Sequence, residues 1–254
     1  MCTSRVPHRG HTAFLASVPS VGVLVAVEGL DGAGKATIVA ALSRGARARG
    51  ARVGTLAFPR YDDDVHAALA GEALRGAHGD TGASVHAMAL LFALDRRAAR
   101  EELETLRRDS DLLLVDRYVA SNAAYGSARR HETIGPFADW VRATEIERFG
   151  LPLPDAQVLV RVPPDLAAQR VRDRAAQQPD RAADGFEADA ALQGRCAAVY
   201  DALVAEQWLS PWWVSDNRQS GDDALTRTAD AILDAVLTDA FAPGSSVRSD
   251  TIET

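Results

Sequence analysis

Apolar positions along the chain fall into two rhythms. Residues 21–28, VGVLVAVE, form a continuous β-branched run closed by an acid, the pattern of a parallel strand buried on both faces. Residues 111–116, DLLLVD, repeat it, and residues 52–58, 156–162 and 211–215 supply three further strands. Between them lie segments of helical composition. Residues 35–49 form a helix ending at Gly50, a C-cap glycine. Further helices are predicted over residues 65–75, 84–108, 134–149, 165–174, 186–206 and 222–239. Residues 177–185 are polar and interrupted by Pro179, and so are predicted as a loop. The alternation predicts an α/β fold, a three-layer parallel β-sheet flanked by helices on both faces. Such sheets bind ligands at the C-terminal ends of their strands. Chemistry is therefore expected at residues 28–35, 58–61 and 116–118 and at the loop near Gln177.

Composition narrows the class. The chain has 254 residues, 47% of them hydrophobic, and a net charge of −7. It holds no apolar run long enough to span a bilayer, so no membrane association is expected. The acidic balance argues against nucleic acid as a partner. Two cysteines, Cys2 and Cys196, make no disulfide framework, which fits a cytoplasmic protein. Residues 1–20 read as a disordered N-terminal extension and residues 242–254 as a flexible tail, leaving residues 21–241 as one domain. One count stands out: of 28 Lys and Arg residues, Lys35 is the only lysine. A chain that uses arginine everywhere else keeps a lysine at this one place.

That place is Gly29-Leu30-Asp31-Gly32-Ala33-Gly34-Lys35, which fits G-x-x-x-x-G-K between a strand and a helix, the context that defines a P-loop. Backbone N–H groups and the helix N-terminus there surround phosphate, and Lys35 supplies a mobile point charge. The next residue is Ala36, where the motif has a Ser or Thr that binds Mg²⁺; Thr37 follows one place later. Magnesium must then rely on phosphate, water and carboxylates. Asp116, at the end of the LLLVD strand, is the Walker-B-like candidate.

The segments EGLDGAGK (28–35), FPRY (58–61), LFALDR (91–96), DRYVASNAAY (116–125) and the arginine-rich stretch 170–187 together resemble bacterial thymidylate kinases, especially the actinobacterial type. The resemblance implies a P-loop NTPase fold with a mobile lid at about residues 170–187. It also implies γ-phosphoryl transfer from ATP to dTMP with Mg²⁺, and a homodimer. It assigns the base to Phe92, by stacking, Arg96 and Asn122, and sets Tyr125 beneath the deoxyribose. It assigns the acceptor phosphate to Tyr61 and Arg117, and the acceptor wall to Phe58-Pro59, a step that is cis in relatives. Asp31 is assigned to the acceptor or metal region, and Glu187 to the metal. Phe186 stands where relatives carry a Tyr, and Gln177 where an Arg is frequent.

Simpler readings stand beside these. Phe92 and Arg96 share a helical face, yet a helical Phe is as often core and an Arg as often a surface ion pair. Asn122 serves equally as a helix cap, and Arg60 as a surface charge. Arg170, Arg174 and Arg181 flank the loop expected to close over the nucleotides, where arginines cover the charge that develops on a transferring phosphoryl; the alternative is a solvated basic face. Two other functions remain open: a kinase for another nucleoside monophosphate or deoxynucleoside, and a non-catalytic nucleotide-binding protein.

Overall fold

The computed structural model describes residues 21–177, 185–186, 189–217 and 222–241. The predicted terminal extensions, Arg181 and Glu187 lie outside the described residues. Five parallel strands form one sheet in the order β2-β3-β1-β4-β5: β1 (Val23–Glu28), β2 (Val53–Ala57), β3 (Leu112–Asp116), β4 (Ala156–Arg161) and β5 (Trp212–Asp216). Successive side chains of a strand point to opposite faces. In β1, β3 and β4 almost every residue is buried, so both faces of the sheet centre are covered. The continuous apolar runs require that cover. The edge strand β2 is half-exposed.

Nine α-helices are present among the described residues: α1 (Lys35–Ala48), α2 (Val65–Leu74), α3 (Val85–Ala98), α4 (Arg100–Asp109), α5 (Val119–Arg129), α6 (Pro136–Arg142), α7 (Pro164–Gln177), α8 (Ala190–Ala205) and α9 (Asp222–Phe241). The core centres on Leu24, Leu112–Val115 and Val158, with Ile38 and Leu42 of α1, Phe137 of α6 and Leu203 of α8 against them.

Four helical expectations need correction. The single helix expected over residues 84–108 breaks at Ala99 (φ −81°, ψ 1°) into α3 and α4. No sequence signal marks the break, because Ala is the best helix former. Its setting is tertiary. Arg60 donates to the Asp95 carbonyl at 2.9 Å and holds the Asp95 carboxylate through Nε (2.8 Å) and its own backbone N–H (3.0 Å). Arg60 is thus a half-buried tie between segments and not a mere surface charge. The helix expected over 134–149 becomes α6 followed by a π-helical turn, Ala143–Arg148, in which the Phe149 N–H bonds the carbonyl five residues back at Thr144. Residues 119–129, left unassigned by the apolar pattern, are α5. The helix expected from residue 186 begins at Ala190, where the Asp189 side chain caps the Leu192 N–H at 2.9 Å.

Candidate active site

Sheet register brings three strand ends together. Val27 of β1 and Ala57 of β2 both pair with Asp116 of β3. The loop after β1, the Phe58-Pro59 step after β2 and the Asp116-Arg117 step after β3 are therefore neighbours. Phe58 donates its N–H to the Asp116 carbonyl at 2.9 Å, and the Phe58-Pro59 bond is cis.

The loop 29–34 is shaped by close approach. Gly32 has φ +78°, and a Cβ there would sit 2.3 Å from the Ala167 carbonyl. Gly34 has φ +97° and caps α1 with no side-chain hydrogen bond, leaving the first turn of the helix to receive phosphate from backbone donors. Asn217, just after β5, supports the loop through a 2.6 Å bond from Nδ2 to the Ala33 carbonyl. No motif pointed to Asn217. Arg170 of α7 reaches the carbonyls of Ala33 (3.4 Å) and Asn217 (3.2 Å). Lys35 folds back onto the carbonyls of Gly29 (3.2 Å) and Leu30 (2.9 Å). Burial, aided by the nearby Arg117 charge, pushes its ammonium down to about 8.

Arg117 organises the next stretch. It has φ +62°, a left-handed conformation that costs a non-glycine residue roughly 1–3 kcal/mol, and its N–H is fixed to the Val27 carbonyl at 2.9 Å. Its guanidinium donates to Asp31 at 2.5 Å and to the Ser121 hydroxyl at 3.2 Å, and lies over the Tyr125 ring. Tyr125 donates its hydroxyl to the other Asp31 oxygen at 2.9 Å. Burial alone would raise the Asp31 pKa. The Arg117 and Lys35 charges and the two hydrogen bonds overcome it and hold Asp31 well below the usual carboxylate range.

Glu28, fully buried beneath this group, accepts from the Tyr118 N–H (2.8 Å), the Ser121 hydroxyl (2.6 Å) and the Tyr200 hydroxyl (3.1 Å). Burial raises its pKa, and these donors offset the rise only in part. The acid closing the β1 run was the sole sequence signal for Glu28, and nothing marked Tyr200.

Helices α3 and α5 build the far wall. Arg96 is 3% exposed, so it is no surface ion pair; it forms a bidentate pair with Glu145 (Nε–Oε2 2.6 Å, Nη2–Oε1 2.9 Å). Asn122 donates to Glu145 and to the Ala89 carbonyl, both at 2.8 Å. It lies in the first half of α5, and Tyr118 occupies the cap position. Phe92 packs at the edge of a small cluster around Met88, Ala70 and Ala73. Phe186 stacks on Tyr125 with ring centroids 6.1 Å apart, and the Arg129 guanidinium lies over the Phe186 ring at 4.8 Å from its centroid.

One cleft of about 720 Å³ joins these groups. Its phosphate end is lined by Asp31, Gly32, Gly34, Lys35, Ala36 and Asp116. Phe58, Pro59, Tyr61, Arg117 and Tyr125 line its middle wall, Phe92, Arg96 and Asn122 its far end, and Arg170, Arg174 and Phe186 its rim. Thr37 is exposed on α1 outside the lining, Arg172 is exposed, and Gln177 ends α7 exposed. Among the described residues no cluster of three or more His, Cys, Asp or Glu exists. Asp116 Oδ1 is, however, buried with no hydrogen-bond partner among the described residues, and Asp116 lines the same cleft as Lys35. A cation held by one carboxylate together with phosphates and water, as Mg²⁺ commonly is, fits that donor set. A more open groove of about 930 Å³ between α1 and β2 also touches Ala36 and Asp116 but contains none of the base-side residues.

A glycine-rich loop between a strand and a helix, with its lysine opening onto the same cleft as the buried donors and acceptors of α3 and α5, places the chain among P-loop phosphotransferases. The family described as thymidylate kinase matches residues 27–210, and the chain belongs to it. It is 53% identical over 193 residues to a thymidylate kinase of Mycobacterium tuberculosis, covering 76% of this chain and 90% of that protein. A thymidylate kinase of Xanthomonas oryzae pv. oryzae is 30% identical over 245 residues, covering 91% and 90%. A probable thymidylate kinase of Archaeoglobus fulgidus is 34% identical over 158 residues, covering 62% and 73%. No helix among the described residues is long and apolar enough to cross a membrane.

Proposed function

We propose that this chain transfers the γ-phosphoryl group of ATP to dTMP, giving ADP and dTDP. The observation that carries the reading is the single cleft running from Lys35 through Arg117 to Asn122 and Arg96. It joins the P-loop to the base-side residues in one space, as transfer to a nucleoside monophosphate requires.

The residues divide the work. Backbone N–H groups of 29–36 and the N-terminus of α1 hold the donor phosphates. Lys35 leaves its carbonyl partners to follow the charge on the transferring group. Arg117, fixed on one side by Asp31, offers its fork to the acceptor phosphate, with Tyr61 beside it. Phe92 stacks on thymine, Arg96 and Asn122 meet its polar edge, and Tyr125 underlies the deoxyribose. Phe58, Pro59 and Phe186 wall the acceptor. Arg170 and Arg174, with Arg181, approach from the lid to cover the phosphoryl oxygens in transit. Such transfer is in-line and needs positioning and charge neutralisation without a covalent enzyme intermediate.

Asp116 is the residue that would hold Mg²⁺, with Asp31 and Glu187 in outer roles; Ala36 offers no oxygen. When bound, the ion neutralises charge on the donor phosphates. We also read the protein as a cytoplasmic homodimer that uses ATP and dTMP and no nucleic acid. The partly apolar surface of α3, where Leu90 is exposed, supports the dimer.

The test is product stoichiometry. Purified protein with ATP, magnesium and dTMP is expected to yield dTDP and ADP one for one. ADP and free phosphate without dTDP would overturn the reading.

A further inference from the structure

Resting on the dTMP reading, we infer that Glu145 is the positioning residue that sets which pyrimidine the cleft accepts, by fixing the polarity of Asn122. Glu145 sits in the π-helical turn after α6 and is 1% exposed. Single π-turns of this kind gather at functional sites. One carboxylate serves two base-side residues: Oε2 takes Arg96 Nε, and Oε1 takes both Arg96 Nη2 and Asn122 Nδ2. The second hydrogen of the Asn122 amide goes to the Ala89 carbonyl at 2.8 Å.

Both partners of the Asn122 nitrogen are pure acceptors. A flipped amide would set Oδ1 against two acceptor oxygens, so the flip is blocked. Oδ1 is the polar atom left to Asn122, and it accepts only. Arg96 has spent its Nε hydrogen and one Nη2 hydrogen, which leaves Nη1 and the second Nη2 hydrogen, and it donates only. Both side chains line the cleft. The base therefore meets one acceptor and one donor. That pair complements the N3–H and C4 carbonyl of a thymine-type ring. A cytosine ring presents the reverse, an N3 acceptor and a C4 amino donor, and meets like against like. Specificity here arises as much from repulsion of the wrong base as from attraction of the right one.

Replacing Glu145 with Gln keeps the shape but sets an amide where two donors converge. One of the two acceptors that hold the Asn122 nitrogen is then weakened while the Ala89 carbonyl stays, so the amide turns its nitrogen towards N3 of cytosine at a lower cost than in the wild type. The experiment measures kcat and KM for dTMP and dCMP, and KM for ATP, in the wild type and Glu145→Gln. Folding of the variant is checked by thermal unfolding and by ATP binding.

The expected result is a rise in the dTMP KM of about tenfold with kcat changed less. The preference for dTMP over dCMP in kcat/KM should fall about tenfold or more, with the ATP KM within about twofold. Unchanged dTMP KM and preference in a folded variant would overturn the inference. So would equal losses for dTMP, dCMP and ATP, the mark of a merely structural role. If Glu145→Gln does not fold, Glu145→Asp decides. Its shorter carboxylate keeps the charge but cannot reach Arg96 and Asn122 together, so the preference should fall with the ATP KM retained, and wild-type preference would overturn the inference. Failure of the wild type to phosphorylate dTMP would instead sink the underlying reading.

Discussion

Arg117 donates to Asp31 at 2.5 Å, joining the phosphate loop after β1 to the acceptor side after β3. Asp31 is held ionised by Arg117, Lys35 and Tyr125 against the cost of its burial. A carboxylate whose folded pKa is depressed contributes stability that is complete above its unfolded pKa, about 4. That contribution is lost as pH falls through the lower folded value. Asp31→Asn is expected to lower stability by about 1.5–3 kcal/mol at pH 7, the range for a charged hydrogen bond. The difference from wild type should shrink steadily below pH ~4. Denaturant titrations of both proteins between neutral and acid pH check this, and a difference independent of pH would contradict it.

Lys35 predicts a second proton linkage of the same sign, at the alkaline end of the pH range. Its ammonium is pushed down to about 8, so between that value and its ordinary range near 10.4 the folded protein binds fewer protons than the unfolded. Stability of the free protein therefore rises with pH through that window, because the cost of burying the charge disappears. Bound phosphates reverse the balance by favouring the ammonium. Nucleotide binding just above pH 8 is expected to take up a proton, and ATP affinity to fall as pH rises further. Calorimetric titrations in buffers of different ionisation enthalpy measure the uptake. None should be seen with Lys35→Ala, whose kcat should fall roughly 10²–10³-fold with the fold retained, as for loss of one transition-state donor.

Tyr125 is held through its hydroxyl, by the Asp31 bond, and through its ring, by the stack with Phe186 and the Arg117 guanidinium. Tyr125→Phe removes only the first and should keep the preference for deoxyribose. Tyr125→Ala opens the space beneath the sugar and should raise UMP turnover relative to dUMP by about tenfold, the worth of a steric contact in a pocket. An unchanged ratio in Tyr125→Ala would remove the residue from that role.

Much of this architecture was legible in the chain because its signals are local. The sheet centre is visible in VGVLVAVE and DLLLVD, runs that only a doubly covered strand tolerates. The loop at 29–35 is visible because two of its glycines meet backbone that a Cβ would strike, Gly29 at Val160 and Gly32 at Ala167. Tertiary contacts left no such trace. Ala99 breaks a helix where Arg60 binds Asp95, 35 residues away in sequence. Helix α5 is built of small and polar residues and so shows no apolar rhythm. Glu145 is hidden twice over, as an acid in a polar stretch and as part of a π-turn that departs from the 3.6-residue period.

Asp116 gives a further expectation. Its Oδ1 is buried without a partner among the described residues, so a cation is the natural occupant of that direction. Asp116→Asn keeps the volume but loses the charge. It should raise the magnesium concentration needed for half-maximal activity by about tenfold, the scale of weakened metal-site contacts. Dependence on magnesium identical to wild type would assign the metal elsewhere.

The most direct measurement is a competition. The protein is given limiting ATP with magnesium and an equimolar mixture of dTMP, dUMP, dCMP, dAMP and dGMP, and the diphosphates are resolved by chromatography. The cleft described by Arg117, Tyr125, Asn122 and Arg96 predicts that dTDP dominates the products. Another diphosphate in the majority, or ADP with free phosphate alone, would contradict it.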